Sequence, residues 1–214
     1  TLLDRSVAPV APAWLPLGPH LLAYVDAGGE MRIVNTDSGE TVGSTPVSTE
    51  TTTLDWSGDG SLLLEAAPDS LLLHEVRTDK LASALDLGPK RQIELPAGAI
   101  VRDASFSPSG DALAVLLELP TRGGRPSRGA LALADPDDGS VRPLFTAPGL
   151  LSSLAWSPDG TRLLIGWPDA DQWLFIPAEG RGRPRAIGGI SAEFAPGEPG
   201  SAVFPLVDGW CCER

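Results

Sequence analysis

One short hairpin motif, repeated at nearly fixed intervals, constrains this chain more than any other feature. Trp56-Ser-Gly-Asp-Gly60, Phe106-Ser-Pro-Ser-Gly110 and Trp156-Ser-Pro-Asp-Gly160 lie 50 residues apart, and Trp14-Leu-Pro-Leu-Gly18 lies 42 residues before the first of them. Counting from the aromatic, the fourth position on is Gly18, Gly60, Gly110 or Gly160, and the seventh is Leu21, Leu63, Leu113 or Leu163. A degraded fifth copy starts at Phe194-Ala-Pro-Gly. A period in this range marks stacked structural units.

The motif is turn chemistry. Proline presets φ for the second turn position, and glycine takes the left-handed position that follows. Its flanks are β-like: Thr-Thr-Leu-Asp before Trp56, and Ala-Leu-Ala-Val-Leu-Leu after Gly110. A second turn recurs further on, at Asn35–Gly39, Asp135–Gly139 and Pro177–Gly180. Each unit therefore reads as four strands, a to d, which in unit three span about 101–107, 111–119, 130–135 and 140–146. No sustained helical period appears; the one weak helical stretch is Lys80 to Leu87.

Four-stranded units at this period predict an all-β propeller of antiparallel blades, over residues 11–48, 50–97, 100–147 and 150–188. A fifth blade is expected from 190–214 completed by 1–10, which would close the ring into one domain and hide its edges. The copies resemble the TolB-type, WD-like propeller repeat, best in Leu154-Ala-Trp-Ser-Pro-Asp-Gly-Thr-Arg-Leu-Leu-Ile165, with the likeness running over roughly residues 12–205. The resemblance implies a bacterial, extracytoplasmic protein, periplasmic or at the cell surface, that acts by binding other molecules. Opening on Thr1 fits a processed form with a removed signal or anchor.

Composition narrows function. The net charge is −12, and residues 1–76 hold eleven acids against Arg5 and Arg32. Nucleic-acid binding needs cationic surface, so that class is not expected. The longest aliphatic run, Ala112–Leu117, is far too short to span a bilayer. The only cysteines, Cys211 and Cys212, are adjacent and lack nearby histidine, so neither a distant staple nor a zinc site follows. No metal or cofactor is expected, and the chain is read as a monomer.

Antiparallel blades send a–b and c–d turns to one face, and b–c and d–a loops to the other. The second face collects the candidate binding residues: Arg122, Arg125 and Arg128 on a long b–c loop, Trp167, Asp169, Asp171 and Trp173 on the next, and Trp210 with Asp208 from the fifth hairpin. Loops on a rigid scaffold carry binding function, and aromatics and arginine are the usual anchors. The basic run Arg181–Arg185 falls at a c–d turn on the opposite face and reads as a solvated turn.

Catalytic signatures are poor: there is no nucleophile elbow, phosphate loop or His-Glu-X-X-His. His20 and His74 read as structural. One enzymatic reading remains. Alternation along strand a aims Asp55, Asp103 and Glu193 at the channel, where paired carboxylates could bind or hydrolyse a glycan. The expectation is a non-catalytic binding or scaffold propeller that engages a protein or cell-envelope partner through its b–c/d–a face. The alternatives are a glycan-binding or glycoside-hydrolysing propeller, and the propeller portion of a larger membrane-anchored protein.

Overall fold

A computed structural model describes residues 7–78, 85–120, 127–194 and 204–210. They form four antiparallel four-stranded sheets, each in simple sequence order. The first holds β1 (Ala13–Trp14), β2 (Leu21–Val25), β3 (Glu30–Asn35) and β4 (Glu40–Pro46); the second holds β5 (Thr53–Trp56), β6 (Leu62–Ala67), β7 (Ser70–Thr78) and β8 (Leu85–Gln92). The third holds β9 (Ile100–Phe106), β10 (Leu113–Leu119), β11 (Arg128–Ala134) and β12 (Val141–Pro148); the fourth holds β13 (Ser152–Trp156), β14 (Arg162–Trp167), β15 (Gln172–Pro177) and β16 (Arg185–Gly188). These are propeller blades, each with strand a innermost.

Blades join through apolar faces. One buried cluster holds Ile33 with Trp56 and Leu63 between the first and second, another Leu64 with Phe106 and Val115 between the second and third, and a third Leu116 with Trp156 and Ile165 between the third and fourth. The repeat aromatic thus packs back onto the preceding blade. Trp56, Phe106 and Trp156 are 2%, 5% and 9% exposed, whereas Trp14, with no preceding blade among the described residues, is 57% exposed.

The hairpin is held by its serine. Buried Ser57, Ser107 and Ser157 accept from the amides of Leu62, Ala112 and Arg162 at 2.9, 3.1 and 2.9 Å. Their hydroxyls donate to Asp59, Asp111 and Asp159 at 2.7, 2.8 and 2.6 Å. In the third copy Ser109 replaces the motif aspartate, and Asp111 supplies the carboxylate. Hydrogen bonds hold all three carboxyls below the usual range: the Ser61 amide and then the Ser57 hydroxyl for Asp59, the Ser109 and then the Ser107 hydroxyl for Asp111, and the Ser157 hydroxyl and then the Thr161 amide for Asp159.

One strand expectation needs correction, and one hairpin departs from the repeat. Trp14 pairs with Leu22, because the first hairpin is one residue longer than the others, in which the aromatic pairs with the leucine seven on. Leu85–Leu87, read as the end of a helical stretch, is the start of β8, where pairing with β7 overrides local propensity; residues 79–84 lie outside the described residues. Only part of the expected fifth blade falls among the described residues. Ile190–Phe194 is a short helix, α1, and 204–210 carry no strand. Val7 bridges Asp26 and so extends the inner edge of the first blade. The remaining residues of the expected fifth blade, 1–6, 195–203 and 211–214, lie outside the described ones.

Gly58 stands where the other full copies have proline, and the packing explains it: a Cβ there would sit 2.2 Å from the Pro108 carbonyl oxygen of the next hairpin. Gly58→Ala is therefore expected to lower stability by about 1–3 kcal/mol through overpacking. Urea unfolding checks this, and an unchanged midpoint would show that the two hairpins are not in contact.

Candidate functional site

The inner strands are tied together by acceptors on one blade and amides on the next. Asp55 Oδ2 accepts from the Phe106 amide at 2.8 Å and the Ser105 hydroxyl at 2.9 Å, while its Oδ1 accepts from the Trp56 amide at 2.9 Å. Asp103 Oδ2 accepts from the Leu154 amide at 3.1 Å, and its Oδ1 accepts from the Ala104 amide at 2.9 Å. In the fourth blade Ser153, strained at φ 35°, accepts from the Val207 amide at 2.9 Å, so the C-terminal segment occupies the place of a next inner strand. The reverse link comes from indole: Trp56 Nε1 donates to the Ala13 carbonyl at 3.2 Å and Trp156 Nε1 to that of Ser105 at 3.0 Å.

Two of the three expected channel acids are thus committed to blade contacts. Burial pushes the Asp55 carboxyl up, against three hydrogen bonds that pull it down. Burial, with smaller repulsion from Asp55 and Asp208, raises Asp103 to about 6. The third acid, Glu193, is misplaced by the sequence reading. It sits exposed on α1, because Asp171 Oδ1 accepts from both the amide and the hydroxyl of Ser191 at 2.7 Å and holds the chain out of the inner-strand path.

At the a–b end the channel opens into a cavity of about 500 Å³, whose wall includes Leu17, Asp55, Gly58, Pro108, Trp156 and Asp208. Asp208 therefore belongs to the a–b mouth and not, as the sequence suggested, to the b–c face. Trp210 packs edge-on to Phe175 at 5.6 Å and Trp173 meets Phe194 at 5.2 Å. Trp173 lies on the side of the fourth blade turned away from the third, and Trp210, from the C-terminal segment, packs onto that side at Phe175. Trp173 Nε1 is buried with no hydrogen-bond partner among the described residues.

The structure does bring Arg128, Trp167 and Asp169 together, around residues 148–150 of a d–a loop. Trp167 Nε1 donates to the Pro148 carbonyl at 3.0 Å, and Asp169 Oδ2 accepts from the Leu150 amide at 3.0 Å. Arg128 bridges Gly149 and its guanidinium donates to Thr146 at 3.1 Å. Gly149 adopts φ 75°, and a Cβ there would overlap Asp169. Arg122, Arg125, Cys211 and Cys212 lie outside the described residues. The sequence reading missed Pro148-Gly149 as the centre of this cluster, although that dipeptide is a turn signal.

It also missed a buried acid on the same face. Glu65 accepts from the Ser48 amide at 2.9 Å and meets His74 Nε2 at 2.8 Å, with Lys90 Nζ 3.5 Å away. These partners outweigh burial and hold its carboxyl below the usual range. Asp26 similarly braces the first b–c turn, accepting from the amides of Gly28 and Glu30 at 2.8 and 3.1 Å and from Arg32 Nε at 2.8 Å. Among the described residues no group of three or more His, Cys, Asp or Glu is placed to hold a metal ion, and no helix is long and apolar enough to cross a membrane.

Blade architecture and channel define a β-propeller domain, and solved structures agree. The chain is similar to the Cps50 (Swd1) β-propeller domain of Myceliophteria thermophila, at 13% identity and a TM-score of 0.59, over 82% of this chain and 56% of that one. It is also similar to regucalcin, a calcium-binding protein from Agrobacterium tumefaciens, at 21% identity and a TM-score of 0.54, over 86% of this chain and 60% of that one. The chain thus spans little more than half the length of these propellers. The sequence matches no protein-family model, and no curated protein matches it.

Because the folded state holds a proton on Asp103 up to about pH 6 while an unfolded aspartate releases it near 3.8, the folded state binds more protons between those values. Stability contributed by this group is full below about pH 4 and is lost as pH rises through about 6. The stability difference between wild type and Asp103→Asn is expected to shift against wild type by about 1–3 kcal/mol between pH 4 and 7. Chemical unfolding at both pH values checks it; a constant difference would refute the raised carboxyl.

Proposed function

We propose that this propeller is a non-catalytic binding or scaffold module, of the TolB-like kind and outside the cytoplasm of a bacterium, that engages a protein or cell-envelope partner through its b–c/d–a face. The observation that carries the reading is the bracing of that face. Asp26, Glu65, Trp167 and Asp169 each hold loop backbone in place, at residues 28, 48, 148 and 150, so these loops are braced before any partner arrives. Preorganised loops spare the ordering cost of association. On this face Ile100 and Leu150 expose apolar side chains, and Arg128 is exposed beside residues 148–150. Arginine beside apolar surface is a common interface anchor.

The channel carboxylates speak for structure over chemistry, since both oxygens of Asp55 and of Asp103 accept backbone amides. A glycan-binding reading draws on one observation, the exposed Asp208 on the wall of the cavity. Membership in a longer polypeptide draws on the partial coverage of the longer propellers.

The test is capture of envelope proteins on the immobilised domain, beside an Arg128→Glu/Leu150→Asp variant and an Asp208→Asn variant. Loss with the first and retention with the second is expected, at unchanged melting temperature. Capture that survives the loop variant would contradict the proposed face. Sugar-dependent thermal stabilisation abolished by Asp208→Asn would support the glycan reading instead.

A further inference from the structure

β16 (Arg185–Gly188) is the outer strand of the fourth blade and pairs only with β15 among the described residues. An outer strand offers unpaired amides and carbonyls to any extended segment, and sheets guard such edges with bulges, proline or charge. The other three outer strands are guarded. β4, β8 and β12 each join their neighbour across a register shift, and β8 and β12 carry Pro89 and Pro143 within the strand. β16 joins β15 in unbroken register, carries no proline within it, and exposes all four of its residues.

The surroundings of this edge select the sign of what approaches. Arg181 and Arg183 stand on the turn that leads into β16, and Arg185 is its first residue. Arg162 lies opposite Pro177 in the ladder, and Arg142 reaches across from the third blade to donate to the Ala178 carbonyl at 2.9 Å. Arg162, Arg181, Arg183 and Arg185 are exposed and form no ion pair among the described residues. Nearby Asp159 is occupied by the hydroxyls of Ser157 and Thr161, which leaves Glu179 as the acid within the turn. In a chain of net charge −12, this is a concentrated cationic corner beside an open strand edge.

We propose that β16 is a docking edge for an extended acidic segment of another protein. The segment adds to the fourth blade as a fifth strand, its main chain pairing with Arg185–Gly188 and its carboxylates meeting the arginines. Strand addition of this kind draws affinity from the ladder and specificity from alternate side chains. Exposed Ile187 offers the apolar contact between charges. This edge is separate from the loop surface proposed above and does not depend on it.

The probe is a fluorescein-labelled peptide of about ten residues alternating Glu and Val, long enough to cover a strand of this length. Controls are the same peptide with Lys for Glu, and with alternate backbone nitrogens methylated. Anisotropy titration is expected to show saturable binding of the Glu peptide, weakened about tenfold or more by either change and by Arg181→Ser/Arg183→Ser/Arg185→Ser, a difference of about 1.4 kcal/mol or more. All three substitutions fall at exposed positions, so circular dichroism should not change. No binding up to about 1 mM peptide, equal binding of the Lys peptide, or equal binding of the methylated peptide would each overturn the proposal. So would anionic lipid vesicles that bind through the same arginines while the peptide does not.

Discussion

A carboxylate or hydroxyl on one inner strand, accepting a backbone amide from the next, is the contact on which the arrangement of blades depends. Each blade is a small sheet with a period-2 apolar pattern, and apolar packing alone would let neighbouring sheets slide. The directional bonds from Asp55 to Phe106, Asp103 to Leu154 and Ser153 to Val207 fix the offset. The indole bonds of Trp56 and Trp156 fix it from the other side. Leaving such an amide unpaired in this half-buried channel would cost about 1–3 kcal/mol, enough to matter in a domain of marginal stability.

The same logic accounts for much of the negative charge. Asp59, Asp111 and Asp159 order hairpins, Asp26 and Glu65 brace loops on the opposite face, and Asp55 and Asp103 join blades. An acid used this way is an acceptor for backbone amides before it is a reagent. Arg128 on one face and the arginines near β16 on the other remain exposed.

Local chemistry was legible in the sequence, and long-range geometry was not. The period and the Ser-Pro-Asp-Gly turns reveal four blades with strand ends close to those observed, because turn residues act within a few positions. Asp55 and Asp103 bond amides of the next inner strand, and these partners lie about 50 residues on, across a blade boundary that no local pattern records. The extra residue in the first hairpin was hidden by the matching glycine and leucine spacing. Glu193 failed for a related reason: Asp171, distant in sequence, recruits Ser191 and starts a helix where the repeat calls for a strand. Of the loop residues, Arg128, Trp167 and Asp169 do converge. Trp173 and Trp210 do not, since Trp173 packs against Phe194 and Trp210 against Phe175, on the side of the fourth blade turned away from the third.

Native-state hydrogen exchange of the Phe106 and Leu154 amides tests the central claim most directly. If the inner-strand links hold the blades in register, both amides exchange only through global unfolding, with a urea dependence equal to that of the whole domain. Exchange through local fluctuation, insensitive to urea and unchanged in Asp55→Ala or Asp103→Ala, would contradict the account.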